Sequence, residues 1–237
     1  MGAQRSGTTW WFRTLLEHPG IRAARGGRKE VHFFDRFCAE EMTEADIAEY
    51  RDLFPRKPGQ IAGEWTPRYM RDVWTPRLLA RAAPDAKLLV LVRDPIERFR
   101  SGVIHRLTRT PEGRREAIAT DAVERGRYGS QLRRLLAFYD EERILVLQYE
   151  RCRQDPQAEY ARTLRFLGAG DYEPEGLERP RGTTTEGRKE ELWPEFEEAL
   201  RVTLEQDVQL LAELAPELDL RLWPGFSHLA AADASAS

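Results

Sequence analysis

The chain begins with MGAQRSGTTWW, in which Gly2 and Gly7 stand five residues apart and are followed by two threonines. The apolar residues after the threonines have helical spacing. A glycine-rich turn that leads into a helix presents backbone N–H groups together with the positive end of the helix dipole, and both attract phosphate. The opening therefore predicts a phosphate-binding loop.

This loop differs from the G-x-x-x-x-G-K-[ST] pattern of nucleoside triphosphate enzymes, because Thr8 occupies the lysine position. In those enzymes the lysine reaches the β- and γ-phosphates and the next hydroxyl binds Mg²⁺. Here the nearby cation is Arg5, inside the loop. The buried segment LLVLVRD also has Arg93 before Asp94, where an arginine would repel a metal. The pattern favours an anion bound without a metal, and a turn that only starts a helix is the alternative.

Helix and strand patterns alternate along the chain, which is typical of βαβ units and a mostly parallel sheet. The clearest buried strands are KLLVLVRDP at 87–95 and RILVLQYE at 143–150, because both contain uninterrupted apolar runs. Shorter extended segments are predicted at 29–34 and 60–65. The predicted helices cover residues 8–18, 43–54, 75–84, 95–107, 130–139, 155–168 and 193–214.

We predict one α/β domain over residues 1–228, with a mostly parallel central sheet flanked by helices and a P-loop-like phosphate-binding loop. Thr43 and Asp94 are predicted helix caps, and residues 229–237 are predicted to form a disordered tail. A phosphate loop normally follows a buried strand, but only three residues precede this one. We therefore expect a very short first strand or a natural start further upstream, and favour the second.

Composition narrows the possible functions. The formal net charge of -3 gives no global basic field, so the sequence does not predict binding to DNA or RNA. No apolar run reaches about 18 residues, which predicts no membrane span, and no signal peptide is visible. Cys38 and Cys152 lie far apart and lack metal-ligand spacing. We expect two free thiols in a reducing cytoplasm, with a single disulfide as the alternative.

Three segments together resemble the sulfotransferases that use 3′-phosphoadenosine 5′-phosphosulfate (PAPS). QRSGTTWW at 4–11 resembles their 5′-phosphosulfate loop, and LLVLVRDPIERFRSGVIHRL at 88–107 resembles their 3′-phosphate segment. KEVHFFDR at 29–36 is similar to the acceptor-site segment of the glycan branch, the heparan sulfate-type enzymes. The segments occur in the family's order. The resemblance implies metal-free, in-line transfer of a sulfuryl group from PAPS to an acceptor hydroxyl on a sugar, a lipid or a secondary metabolite.

The resemblance also implies roles for residues that would hold the donor. Arg93 and Ser101 correspond to the pair that binds the 3′-phosphate, through a fork of guanidinium donors and a hydroxyl. At the other end, the 5′-phosphosulfate would be held by backbone N–H groups and threonine hydroxyls of Ser6, Gly7, Thr8 and Thr9. Arg5 stands where the family commonly has lysine, and there it would stabilise charge on the leaving phosphate.

Further donor contacts follow from the same resemblance. Tyr149, after a buried strand, corresponds to a residue that touches the adenine. Trp10 is a candidate for stacking on the adenine, although an aromatic residue in a first helical turn is often part of the core. Arg181 and Gly182 match a late basic loop that closes over the nucleotide, with Arg188 as an alternative.

The chemistry requires a base for the acceptor's proton. Glu30 and His32 are two residues apart, so in an extended segment they point to one side, with Lys29, Val31 and Phe33 opposite. The resemblance makes Glu30 the base. His32 would orient the acceptor or the glutamate, or act as the base itself.

Other residues are weaker acceptor-site candidates: Glu64, Thr66, Arg68 and Tyr128. KEVHFF favours a sugar hydroxyl, and a chain without an obvious insertion does not suggest a groove for a long polymer. A small-molecule kinase that uses Mg-ATP is the alternative enzyme, although the missing lysine argues against it. A degenerate nucleotide-binding or scaffold protein is the alternative without catalysis.

Overall fold

The computed structural model describes residues 1–107, 115–177 and 192–232. The helices are α1 Thr8–Leu15, α2 Glu44–Asp52, α3 Arg68–Arg71, α4 Thr75–Ala82, α5 Pro95–Leu107, α6 Arg115–Glu124, α7 Tyr128–Leu136, α8 Tyr149–Gln154, α9 Pro156–Leu167, α10 Pro194–Leu214 and α11 Leu229–Ala232. The strands are β1 Ile21–Ala23, β2 Ile61–Gly63, β3 Leu88–Val92 and β4 Ile144–Gln148. Within these ranges no helix combines the length and apolar character needed to cross a bilayer.

The strands pair in parallel, as the sequence predicts. β3 pairs with β4, with Leu88 opposite Ile144, and β1 pairs with β2. β3 also bonds to the residues before the phosphate loop, where the Ala3 N–H donates to the Leu91 carbonyl over 2.7 Å. β3 therefore lies between β4 and the start of the chain, and this position brings the loop to the carboxyl end of β3.

Both faces of β3 are covered, which explains its uninterrupted apolar sequence. Because side chains alternate along a strand, Val90 and Val92 join a cluster that contains Trp223. Leu89 and Leu91 join a second cluster on the other face, which contains Trp11 of α1. The strand is thus fixed from both sides, and so are the loops at its end.

The predicted helix caps are confirmed. Asp94 accepts bonds from the backbone N–H groups of Ile96 and Glu97 at 2.8 and 3.2 Å, so α5 begins directly after β3. Thr43 and Asp46 form a reciprocal capping box at the start of α2. The two cysteines are free, with Cys38 exposed and Cys152 buried.

The prediction of an extended segment at 29–34 is wrong. Residues 29–32 have no regular secondary structure, and a 3₁₀-helix spans Phe33–Cys38. The backbone of His32 is left-handed, with φ 58°, which interrupts a strand. Phe33, Phe34 and Phe37 are all buried, and their spacing fits one helical turn better than a pleat.

At the end of the chain, the predicted tail includes the one-turn helix α11. Leu229 at its start packs against the main core cluster. The late basic loop with Arg181 and Gly182 lies outside the described residues.

Candidate active site

The opening loop has the strained geometry of an anion-binding turn. Gly7 and Arg5 are both left-handed, with φ 88° and 71°. A Cβ atom on Gly7 would lie 2.8 Å from the Tyr149 ring, so glycine is required there. Gly7 is the N-cap of α1 and provides no side-chain cap. The first N–H groups of the helix, from Thr8 onward, consequently have no intrahelical acceptor and can receive an anion.

Ser6 differs from its predicted role. Its backbone N–H donates to the Ala3 carbonyl within the turn, over 3.3 Å, and its side chain is fully buried. The backbone donors of the loop therefore begin at Gly7. Tyr128, an acceptor-site candidate, is also fully buried, and burial raises its pKa to about 12. It is therefore not a surface residue that an acceptor can reach.

Arg5, Arg93 and Ser101 come together as one cluster. The Arg5 Nε donates to the Ser101 hydroxyl over 3.1 Å, and an Arg93 nitrogen lies 3.4 Å from the Arg5 carbonyl. Burial and the charge of Arg93 both lower the pKa of Arg5. Arg93 also pairs with Glu97 at 3.3 Å. The two cations, one carboxylate and one hydroxyl at the end of β3 thus carry a net positive charge, which favours an anion. The guanidinium of Arg5 belongs to this cluster through its bond to Ser101, which places it toward the predicted 3′-phosphate residues.

The predicted aromatic contacts lie beside this cluster. The Arg93 guanidinium carbon is 5.1 Å from the centre of the Tyr149 ring, and Trp10 meets that ring edge-on at 6.5 Å. Trp10 is 9% exposed and belongs to a core cluster. Among the described residues, the buried Nε of Arg93 and the buried indole N–H of Trp10 have no hydrogen-bond partner. These hydrogen-bond donors therefore fit an anionic nucleotide, which is rich in hydrogen-bond acceptors.

Lys29 is a site residue that sequence reasoning missed. Its ammonium donates to the Thr8 hydroxyl over 3.2 Å and to the Glu30 carboxylate over 2.7 Å. Its side chain is only 16% exposed. Burial lowers the pKa of Lys29, and the ion pair with Glu30 opposes that effect. The prediction that Lys29 points away from Glu30 is wrong, since the segment is not a strand.

Glu30 and His32 do lie together, in a chain of charged groups. The second Glu30 oxygen is 3.3 Å from His32 Nε2, and His32 Nδ1 is 3.0 Å from Asp35. Arg68 lies 3.6 Å from the same Asp35 oxygen. Asp35 was not identified from the sequence; its position three residues after His32, in HFFD, is the signal for a contact across a helical turn.

Residues 64–69 hold this segment through its backbone. The Val31 N–H donates to Glu64 and to Thr66, over 3.2 and 3.0 Å, and the Phe33 N–H donates to the Tyr69 hydroxyl over 2.6 Å. Burial raises the pKa of Glu64, although its hydrogen bonds oppose the shift. Glu64 and Thr66, which were acceptor-site candidates, therefore act as supports of the Glu30 segment.

The predicted residues of the late basic loop fall in a part of the chain that the structure does not describe. Arg181 and Gly182 lie outside the described residues, and so does the alternative Arg188.

Comparison with known proteins identifies what this arrangement is similar to. A family model described as "Sulfotransferase domain" matches residues 1–179. The human protein "Heparan sulfate glucosamine 3-O-sulfotransferase 6" is 34% identical over 181 residues, which cover 71% of this chain and 51% of that protein. The human "Heparan sulfate glucosamine 3-O-sulfotransferase 3B1" is 32% identical over 182 residues, or 71% of this chain and 45% of that protein. The chain thus spans about half the length of these curated relatives.

A solved structure has the same fold. The sulfotransferase from Alicyclobacillus acidocaldarius superposes with a TM-score of 0.71, covering 90% of this chain and 93% of that one. Sequence identity over this superposition is 24%, so the likeness concerns the fold.

Proposed function

Because this chain belongs to the sulfotransferase domain family, we propose that it transfers a sulfuryl group from PAPS to an acceptor hydroxyl. One observation carries this proposal. A single ammonium, that of Lys29, bonds both the Thr8 hydroxyl of the phosphate loop and the Glu30 carboxylate. The predicted base consequently lies beside the predicted phosphosulfate site, as a transfer between two substrates requires.

The two ends of PAPS match two sets of donors. Arg93, Ser101 and Arg5 would hold the 3′-phosphate, because they converge at the end of β3. The N–H groups at the start of α1 and the hydroxyls of Thr8 and Thr9 would hold the 5′-phosphosulfate. Tyr149 lies against Arg93, on the side where an adenosine would join the two anionic groups.

When bound, PAPS would supply the sulfuryl group. As the acceptor oxygen bonds to sulfur, the bond between sulfur and the bridging oxygen would break, and its electron pair would stay on the leaving 5′-phosphate. Glu30 accepts the proton of the acceptor hydroxyl. His32 contacts both Glu30 and Asp35, so it orients the carboxylate. Donors at the start of α1 offset the negative charge that collects on the released 5′-phosphate.

The acceptor that we propose is a carbohydrate hydroxyl. The relatives named above are named for glucosamine in heparan sulfate, and the segment with Glu30 and His32 resembles that branch. Among the described residues, the charges around the proposed base are balanced, since Lys29 and Arg68 face Glu30 and Asp35. This balance favours a neutral or weakly charged sugar over a densely sulfated polymer.

A kinase is less consistent with the site. A magnesium-dependent triphosphate enzyme needs a free carboxylate after the strand beside the loop. Asp94 is in that position, but its carboxylate accepts the N–H groups of Ile96 and Glu97 as a helix cap. It is therefore already engaged in holding α5.

Calorimetric titration with adenosine 3′,5′-bisphosphate, beside ATP with and without Mg²⁺, tests the proposal. We expect micromolar binding of the bisphosphate that does not depend on Mg²⁺, and much weaker binding of ATP. Turnover of PAPS with a panel of monosaccharide and disaccharide acceptors then tests the acceptor class. Tight Mg-ATP binding without bisphosphate binding would establish the kinase instead.

A further inference from the structure

The phosphate loop lacks a cation of its own at the 5′ end. Thr8 stands where the triphosphate loop has lysine. The guanidinium of Arg5 bonds to Ser101, and the aliphatic part of the side chain passes 4.0 Å from the position of a Cβ on Gly102. Arg5 thus runs along α5, toward the 3′-phosphate cluster. A leaving phosphate nevertheless develops negative charge that a nearby cation would stabilise.

Lys29 reaches this position from another part of the chain. Its ammonium is 3.2 Å from the Thr8 hydroxyl, at the first residue of α1. The backbone of Lys29 is fixed as well, because its carbonyl accepts the Trp65 N–H over 2.7 Å. A charged side chain that is only 16% exposed has lost most of its hydration, so its interaction with a bound anion is weakly screened.

The ammonium also has capacity for a ligand. Lysine carries three N–H donors, and the two contacts made within the described residues, to Thr8 and Glu30, use two of them. The third donor can bond an oxygen bound at the start of α1. The donors that surround such an oxygen would then comprise the helix N–H groups, the Thr8 hydroxyl and one cation.

We propose that Lys29 supplies the cation that the phosphate loop lacks, by contacting the 5′-phosphosulfate of the donor and stabilising the charge on the departing 5′-phosphate. This inference rests on the proposed function. It assigns the two ends of the nucleotide to different cations, with Arg5 and Arg93 at the 3′-phosphate and Lys29 at the 5′ end. The same ammonium bonds Glu30, so one residue connects the donor site with the base.

The test compares two nucleotides that differ only in the 5′-phosphate. Affinities for adenosine 3′,5′-bisphosphate and adenosine 3′-phosphate are measured by calorimetry for wild type, Lys29→Met and Lys57→Met. Lys57 is exposed and is the matched control. We expect Lys29→Met to weaken bisphosphate binding by about 10- to 150-fold, the range for a charged hydrogen bond. Binding of the 3′-phosphate should change less than about twofold, and Lys57→Met should change neither.

The outcomes separate this inference from the proposed function. If wild type binds no bisphosphate, both are overturned. If wild type binds it and Lys29→Met binds equally well, or loses both nucleotides to the same extent, only the role of Lys29 is overturned.

A second measurement does not depend on a folded variant. Acetylation of wild type with an amine-reactive reagent, read by peptide mass spectrometry, reports the accessibility of each lysine. We expect the bisphosphate to slow acetylation of Lys29 at least several-fold, while the 3′-phosphate does not, and Lys57 to react equally in all samples. Equal labelling of Lys29 with and without bisphosphate would overturn the inference.

Discussion

The two halves of the candidate site are built differently. The donor half stands on β3, which is buried on both faces, and its left-handed Gly7 lies against the Tyr149 ring. The acceptor half is an irregular segment whose functional side chains are exposed, 40% for Glu30 and 46% for His32. That segment is fixed through its backbone, by Glu64, Thr66 and Tyr69. These bonds hold the backbone of the acceptor segment and leave its exposed side chains able to change conformation. The donor half is therefore the more constrained of the two.

Charge is also distributed differently in the two halves. In the donor half, burial and the neighbouring charge of Arg93 both lower the pKa of Arg5, so a bound phosphate relieves repulsion as well as forming bonds. In the acceptor half the charges alternate along the chain from Lys29 to Arg68. We therefore expect substitutions in the donor half to change nucleotide affinity, and substitutions of Glu30 and His32 in the acceptor half to change turnover. Lys29 bonds to both halves, so its substitution should change affinity as well.

The largest expected effect is that of Glu30→Gln. The amide is nearly isosteric with the carboxylate but cannot accept the acceptor's proton, so transfer should fall by about 10²- to 10⁴-fold, as for loss of a general base. Bisphosphate affinity should stay within a few-fold of wild type. Both are measured on the same preparation, by PAPS turnover and calorimetry.

The exposed Glu40 provides the matched control, and Glu40→Gln should retain wild-type turnover. Retained turnover in Glu30→Gln would assign the base to His32. A parallel loss of bisphosphate affinity would instead mean that the two halves are not separable.

Arg93→Ala is expected to produce the next largest effect, in the donor half. Loss of a charged hydrogen bond should weaken bisphosphate binding by about 1.5–3 kcal/mol, or roughly 10- to 150-fold. Arg133, exposed on α7, is the control, since Arg133→Ala changes the same side chain in a helix away from the site. An unchanged dissociation constant for Arg93→Ala would remove this residue from the donor half.

The donor half could be predicted closely from the sequence because its signals are local. The glycines of the loop, the apolar run of β3 and the Asp94-Pro95 start of α5 each act within a few residues. They determine the backbone directly, through allowed φ angles, side-chain burial and capping. Arg93 and Ser101 follow once the strand and helix are fixed.

The acceptor half was predicted less well because its conformation depends on distant partners. Glu64 and Thr66 bond to Val31 across more than thirty residues, and nothing within KEVHFF indicates this. The prediction of a strand places the side chains of Lys29 and Glu30 on opposite sides of the segment, whereas the structure brings them together. Within FFDRF, Phe37 follows Phe34 by three residues and Phe33 by four. This helical spacing is the local signal for the 3₁₀-helix.

Gly7→Ala tests the rigidity of the donor loop, with Gly26→Ala as a matched control. Both glycines are left-handed, with φ 88° and 79°, so both substitutions should cost about 1–2 kcal/mol of unfolding free energy. A Cβ on Gly26 would meet nothing within 4 Å, whereas one on Gly7 would collide with Tyr149. Gly7→Ala should therefore cost about 1–3 kcal/mol more and weaken bisphosphate binding.

Urea unfolding of both variants measures this difference. Equal losses would show that the Tyr149 ring moves aside without cost, and the donor half would then be less rigid than we infer.

The smallest expected effect concerns the pH dependence of the frame that holds the acceptor segment. Burial raises the pKa of Glu64 above its ordinary value of 4.5, so the folded state binds its proton more tightly than the unfolded state does. The folded state is therefore favoured below pH 4.5, and this contribution is lost as the pH rises through the raised folded-state pKa.

Glu64→Gln cannot titrate, so the unfolding free energy of wild type should fall relative to the variant as the pH increases from about 4 to 7. Other carboxylates with raised pKa values, those of Asp94 and Glu150, are common to both proteins and cancel in the difference. The buried amino group of Met1 does not cancel, because burial lowers its pKa to about 5 and the charge of Glu64 raises it. Its coupling to Glu64 changes the difference in the same direction. Because the amide also changes the bonds with Thr66 and Tyr50, the test is the slope of that difference and not its offset. Parallel curves over this range would mean that the ionised carboxylate is stabilised by its hydrogen bonds as fully as it is by water.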